Sequence, residues 1–335
     1  MTEKVSIVIP VYNGSNFLDQ AIQSALAQTY PETEVIVVND GSRDDGKTAA
    51  IARSYGERIR YFEKENGGVA SALNYGIERM EGDYFSWLSH DDLYYPDKVA
   101  AEMESLRAAG RECIALCNSD NINKNGAVLT EWRLEESYSP RRIEHGYSML
   151  YRGAIGGCTL LFHKEHFERA GLFDENLKTT QDIDMFIRLL KGRKICFTPR
   201  VLVSTRSHLT QGSKTMKGIA AGEKEKLCFT MLDAVDEYEM TKIAGSPAAF
   251  YYLVSSKYAV SQKAKDECER RARSAPGYEQ VAAMLSPEER AELLELFFED
   301  AVNERKRECK GWPDRRREVL YHYTDRLKHK VRQLI

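Results

Sequence analysis

Four short apolar runs rich in β-branched residues alternate with three amphipathic stretches at the start of this chain. Val5 to Val11, Glu34 to Asn39, Ile59 to Phe62 and Asp83 to Leu88 read as buried strands. Between the first two, Ser15 to Gln28 sets Phe17, Leu18, Ala21, Ile22, Ala25 and Leu26 at helical spacing. Asp45 to Tyr55 predicts a second helix, and Gly67 to Arg79 a third, with Val69, Ala72, Leu73 and Ile77 on one side. Strand and helix in strict alternation predict an α/β fold built on a doubly wound, mostly parallel, Rossmann-like sheet. Strands apolar along their whole length fit a sheet covered on both faces. In such sheets ligands bind beyond the carboxyl ends of the strands, where the strand order reverses.

Further along, Tyr95 to Ala109 reads as a helix opened by Pro96, and Cys113 to Cys117 as a fifth strand. Asn123-Lys124-Asn125-Gly126 is a hairpin-turn signal, followed by a helical stretch over Pro140 to Tyr151. Gly156-Gly157 precedes a strand at Cys158 to Phe162. A short helix over Lys164 to Ala170 stops at Gly171, and Thr180 stands as a cap for a helix over Asp182 to Leu190. Past about Gly212 strand signals cease. Long helices are expected over Ile219 to Val235, Ala248 to Arg273, Pro287 to Lys310 and Arg315 to Leu334.

Composition narrows the class. The 335 residues are 42% hydrophobic and 30% charged, as in a soluble globular protein, and no run of about 18 apolar residues predicts a membrane span. The first residues run directly into a strand, so no signal peptide is expected. Seven scattered cysteines, an odd number, suit reduced thiols in a cytoplasmic setting. Net charge is −3, yet residues 303–335 carry eleven Lys or Arg against five Asp or Glu. This basic, amphipathic end leaves three readings open: a helix packed on the body, a peripheral contact with an anionic membrane, or a homodimer contact. Nucleic acid is not an expected partner, because the body is acidic and the basic end lacks aromatic stacking surfaces.

Three polar punctuation points fall just past predicted parallel strands: Pro10-Val11-Tyr12-Asn13, Asn39-Asp40-Gly41-Ser42 and Ser89-His90-Asp91-Asp92. Parallel strands bring such points to one rim. Two carboxylates at the mouth of a buried strand are costly without a cation, and hard carboxylate oxygens suit a divalent ion. A dinucleotide-dependent dehydrogenase is disfavoured, since Tyr12-Asn13-Gly14-Ser15-Asn16 is no Gly-x-Gly-x-x-Gly loop. A nucleotidyltransferase would need a basic glycine-rich first loop, which is absent.

In these phrases, and in Asn66-Gly67-Gly68-Val69-Ala70, Gly171-Leu172-Phe173-Asp174-Glu175 and Gln181-Asp182, the chain resembles the inverting family 2 glycosyltransferases of the GT-A fold. The resemblance spans roughly residues 4 to 210. It implies a catalytic domain over 1–212, with a nucleotide-sugar half (1–118) and an acceptor half (119–212), followed by a helical region over 213–335. It further implies a UDP-sugar donor, a saccharide or lipid-linked saccharide acceptor and an Mn²⁺ or Mg²⁺ cofactor, in bacterial polysaccharide or glycolipid synthesis at the inner face of the cytoplasmic membrane. Pro10, Tyr12, Asn13, Asp40, Asn66, Gly67 and Asp91 are then expected around the nucleotide-sugar, with Asp40 accepting from the uracil imide. Asp92 and His208 are expected on the metal, and Asp182 as the general base. Arg206 and Lys214 are further phosphate contacts to consider. Ser89 stands where the family usually has an acid, and Gln181 where it has Glu; the loss of that neighbouring charge should ease ionisation of Asp182. The alternative is a non-catalytic sugar-nucleotide-binding or assembly module with the same fold.

Overall fold

The computed structural model describes residues 3–208, 211 and 217–279. The expected helices over Pro287 to Lys310 and Arg315 to Leu334 lie outside the described residues, as do Gly212, Ser213 and Lys214. In chain order the strands are β1 (Val5–Val11), β2 (Thr33–Asn39), β3 (Arg60–Glu63), β4 (Tyr84–Trp87), β5 (Leu93–Tyr94), β6 (Ile114–Ile122), β7 (Val128–Trp132), β8 (Leu160–His163) and β9 (Ile195–Arg206). The α-helices are α1 (Leu18–Leu26), α2 (Lys47–Ser54), α3 (Val69–Ile77), α4 (Lys98–Ala109), α5 (Pro140–Glu144), α6 (Gly146–Tyr151), α7 (His166–Ala170), α8 (Gln181–Leu190), α9 (Lys217–Asp233), α10 (Glu237–Ala244), α11 (Pro247–Tyr258) and α12 (Gln262–Ser274).

The sheet runs β3-β2-β1-β4-β8-β6-β9-β5, with β7 hairpinned on β6. Its first four strands are parallel, as the alternation requires. Antiparallel β8 then joins β4 to β6, while β6 and β9 are again parallel. Every residue of β1 is buried, and α1 adds Leu18, Ala21, Ile22 and Ala25 to the core beside it. Neighbours β2 and β4 flank β1 on opposite sides, so the strand order reverses there. Val11 pairs with Asn39, and Val8 with Trp87. The Asp40 amide then donates to the Val11 carbonyl at 2.8 Å, and the Leu88 amide to the Val8 carbonyl at 3.0 Å. Residues 12–14, 40–42 and 89–92 therefore leave the sheet along one edge.

Three strands escape the expected pattern. The polar run Asn118-Ser119-Asp120-Asn121 hides the second half of β6, which extends to Ile122 rather than stopping at Cys117. Strand β9 contains Pro199, and the β6–β9 register shifts between Cys117 and Ser119. Two-residue β5 is too short to carry a period. In the helical part, the single helix expected over Ala248 to Arg273 is two. Extended backbone at Ala259 ends α11, and the Ser261 hydroxyl caps α12 by accepting from the Ala264 amide at 3.1 Å.

The described residues form two compact units. One holds the sheet up to residue 223, except for 135–142 and 151–153; those two short pieces join the helices after 223 in the other. Against β4 and β8, α4 places Lys98 and Glu102 one turn apart with no exposure at all. Their charges meet at 2.8 Å, and the Lys98 ammonium also donates to the Ser86 hydroxyl at 2.7 Å.

Candidate active site

Asp40 follows β2 directly and is buried. A loop after β3 wraps its carboxylate: Oδ1 accepts from the Gly67 amide (3.0 Å) and Oδ2 from the Gly68 amide (2.7 Å). The Asn66 side-chain amide adds a bond to Oδ2 at 3.1 Å, and the Lys64 ammonium one to Oδ1 at 2.9 Å. A carboxylate offers about four acceptor positions, so these four donors fill it. Gly41 makes room for the loop: its φ is +68°, and a Cβ there would stand 2.7 Å from the Asn66 nitrogen. The Asn66-Gly67 amides are thus turned onto a protein carboxylate. The rule that singles out Asp40, a polar residue just past a parallel strand, reaches Lys64 too. It follows β3, and its amide donates to the Asn39 carbonyl at 3.0 Å.

The turn after β1 is held locally. Asn13 adopts a positive φ of 50°, its amide donates to the Ser42 hydroxyl, and its Oδ1 accepts from the Arg43 amide at 2.7 Å. Pro10 lies inside β1 opposite Val38. Tyr12 presents an exposed ring beside Asp40's strand end, at 44% of its full area.

Asp91 and Asp92 have different surroundings. Oδ2 of Asp91 stands 2.8 Å from Nε2 of His208, and both side chains keep a small opening to solvent. Asp92 turns inward. Its Oδ1 accepts from the Arg206 amide at 2.8 Å, and its Oδ2 from the Cys158 thiol at 3.4 Å. Burial, reinforced by the adjacent Asp91 charge, pushes the Asp92 carboxyl up to about 7. Burial likewise keeps the Cys158 thiol protonated, well above its ordinary range. Each oxygen of Asp92, the residue expected on the metal, thus accepts one bond inside the protein. Asp91 is the carboxylate that shares the rim with His208. The small Ser89 leaves room for this arrangement, its amide and hydroxyl both lying against the Cys158 sulfur. His90 packs on Gly14, where a Cβ would meet the ring at 2.5 Å, and burial holds its imidazole below the usual value.

Arg206 is almost wholly buried, which removes it as a phosphate contact. Its Nε donates to the Asp91 carbonyl (2.9 Å) and its Nη2 to Oε1 of Gln20 (2.8 Å). Its Nη1 reaches the Asn123 and Lys124 carbonyls in the β6–β7 turn. The Phe17 ring lies 4.5 Å from the guanidinium and 5.1 Å from the His208 ring. One arginine thus fixes the 91–92 turn, the start of α1 and the strand end leading to His208.

Asp182 opens α8, where the Ile183 amide donates to its Oδ1 at 2.8 Å. Surrounding atoms crowd the carboxyl although part of its surface stays open, and that burial holds it above the usual range. The easing expected from Gln181 is outweighed by desolvation. Asp184 is spent on Arg188, one turn along, at 2.7 Å. Thr180 occupies the cap position, but its hydroxyl makes no cap bond and points to Glu223 instead. The segment before α8 is strapped to the Asp40 loop. The Lys178 ammonium donates to the Gly67 carbonyl at 2.9 Å. Asn74 of α3 donates to the Phe173 carbonyl (2.9 Å) and accepts from the Phe173 amide (3.0 Å). Phe173 in turn meets Trp87, the last residue of β4, edge to face.

Residues 6–169 match the model of glycosyl transferase family 2. An uncharacterized glycosyltransferase of Rickettsia typhi is 44% identical over 247 residues, which cover 73% of this chain and 77% of that one. The chain belongs to glycosyltransferase family 2. A second family member, an uncharacterized glycosyltransferase of Rickettsia bellii, is 46% identical over 249 residues but extends far beyond the match, which covers 36% of it. The chain thus spans about a third to two fifths of the length of several curated relatives. The Pasteurella multocida hyaluronan synthase is 32% identical over 207 residues, or 59% of this chain. Among solved structures, S. aureus TarS 1–349 in complex with UDP-GlcNAc superposes with a TM-score of 0.63 at 16% identity, covering 92% of this chain and 93% of that one. At that identity the likeness shows the fold alone. Among the described residues no helix is long and apolar enough to cross a membrane.

Proposed function

We propose that this chain transfers a sugar from a UDP-sugar to an acceptor hydroxyl, inverting the anomeric centre. One observation carries the reading: the Asp40 loop and the Asp91–His208 pair leave a single sheet edge at the strand-order reversal, and the Lys178 strap ties the segment bearing Asp182 to that loop. The family membership and the TarS complexes with UDP and UDP-GlcNAc support a nucleotide-sugar donor.

In this reading Tyr12 offers its exposed ring to the base. Of the two side-chain donors on Asp40, the Lys64 ammonium stands on the longer and more flexible arm, so the imide N–H takes its place on Oδ1. Asp91 and His208 would hold a divalent cation, a hard carboxylate oxygen and an imidazole nitrogen standing side by side. The imidazole favours Mn²⁺ over Mg²⁺. Such an ion would supply positive charge beside the diphosphate. Asp182 takes the proton of the attacking hydroxyl, a role worth about 10²–10⁴ in rate. Its raised affinity for a proton makes it a stronger base than an exposed carboxylate. The acceptor is a saccharide or lipid-linked saccharide of a bacterial surface polymer, reached at the cytosolic face of the membrane.

Thermal-shift titration of UDP and a panel of UDP-sugars with Mn²⁺, read together with UDP release, tests this. Stabilisation that needs both nucleotide and metal, with slow release of UDP, is the expected result. Indifference to both ligands rules the donor out.

A further inference from the structure

Glu223, on the first turns of α9, belongs to none of the motifs named above. Its carboxylate nonetheless takes four hydrogen bonds from three consecutive residues. Oε1 accepts from the Lys178 amide at 2.7 Å. Oε2 accepts from the Thr179 amide at 2.7 Å, the Thr179 hydroxyl at 2.6 Å and the Thr180 hydroxyl at 3.4 Å. Partial burial pushes its carboxyl up, yet the bonds from Thr179 and Lys178 prevail and hold it below the usual glutamate range. The acceptor is therefore anionic at neutral pH, and charge-assisted bonds of this kind are about twice as strong as neutral ones.

The position of the three donors gives the contact its meaning. They are the last residues before α8, whose second residue is Asp182. Without Glu223 the two amides have no helical partner, since the first N–H groups of a helix and the residues just before it lie outside the helical ladder. Asn74 holds the strap at Phe173, and the Lys178 side chain ties the first of the three residues to the Gly67 carbonyl. Glu223 accepts from the backbone amides of Lys178 and Thr179 and from both threonine hydroxyls, next to Asp182.

We propose that Glu223 is a positioning residue: it holds residues 178–180 so that α8 presents the Asp182 carboxylate to the acceptor hydroxyl. This deepens the glycosyl-transfer reading and rests on it. Displacement of a catalytic group by about 1 Å is enough to cost two orders of magnitude in rate. The Glu223→Ala variant should therefore lose about ten- to a hundredfold in kcat, with UDP affinity and donor KM within about twofold of the parent. Glu223→Asp, which keeps the charge on a shorter arm, should recover part of the loss. Glu223→Gln, whose NH₂ group opposes amide donors, should recover less.

Two measurements on the full chain decide the matter. Hydrogen–deuterium exchange with no ligand present should show faster exchange at residues 178–180 in Glu223→Ala, while peptides from β1, β2 and β4 stay protected. UDP release from a panel of UDP-sugars with Mn²⁺ is then measured in the parent and in an Asp182→Asn background. A residue acting through Asp182 has nothing left to position once the base is gone. Glu223→Ala should then cost its ten- to hundredfold only in the parent. An equal loss in both backgrounds, or unchanged exchange at 178–180, overturns the proposal. Parent-like turnover by Asp182→Asn instead overturns the reading of Asp182 as base, and is seen without any Glu223 variant.

Discussion

Asp91 and His208 lie 117 positions apart and meet at 2.8 Å on the edge where β1, β2 and β4 end. Asp92, the next residue after Asp91, is drawn the other way by the Arg206 amide and the Cys158 thiol. The two adjacent side chains diverge, Asp91 to the rim and His208, Asp92 to the buried Arg206 amide and Cys158 thiol.

The two aspartates should therefore fail differently. Asp91→Asn and His208→Ala are expected to weaken Mn²⁺ binding, followed by electron paramagnetic resonance with UDP present, by at least about tenfold. Asp92→Ala should leave Mn²⁺ affinity within a few-fold. Its cost appears in urea unfolding as about 1–3 kcal/mol, because the Arg206 amide is left buried without an acceptor. The reverse pattern would return the metal to Asp92.

Asp182 should set the acid limb of the rate profile. Its carboxyl keeps a proton to higher pH in the folded protein than in the unfolded chain. Folding thus takes up a proton in the window between the two values. The stability it contributes is full below the unfolded value and is lost as pH rises through the folded one. Turnover needs the ionised form, so kcat should climb across that same window. Asp182→Asn should unfold at a higher temperature than the parent at pH 7 while losing about 10²–10⁴ of turnover. A variant both active and unstabilised would contradict this.

Asp40→Asn tests the wrapped carboxylate. A carboxamide turns an NH₂ group toward donors, leaving an amide of Gly67 or Gly68 unpaired. Stability should fall by about 1–3 kcal/mol, and UDP affinity with it. Lys64→Met vacates an acceptor position on Oδ1 without disturbing the glycine amides, and should keep or raise UDP affinity in isothermal titration.

The buried Lys98–Glu102 pair should behave as a unit. Lys98→Met strands an unpaired carboxylate and should cost about 3–5 kcal/mol, whereas Lys98→Met with Glu102→Leu should lie near the parent in denaturant midpoint. Additive losses would show that the two charges do not depend on each other.

Much of this was legible in the linear chain. Continuous apolar runs and helical spacing fix strands and helices by local periodicity. Chain order then forces β1, β2 and β4 parallel, and with them the common edge of Tyr12, Asn13, Asp40 and Asp91. Period says nothing where a strand is polar, as in β6 beyond Cys117, or interrupted, as in β9 at Pro199. Nor can it say which of two adjacent carboxylates faces out, that Arg206 is swallowed, that Lys64 sits on Asp40, or that Glu223 holds the approach to Asp182. Each of those depends on a partner 24 to 186 residues away. The local pattern of a chain determines what elements it forms; the burial of charges and the satisfaction of their hydrogen bonds are settled only when distant segments pack.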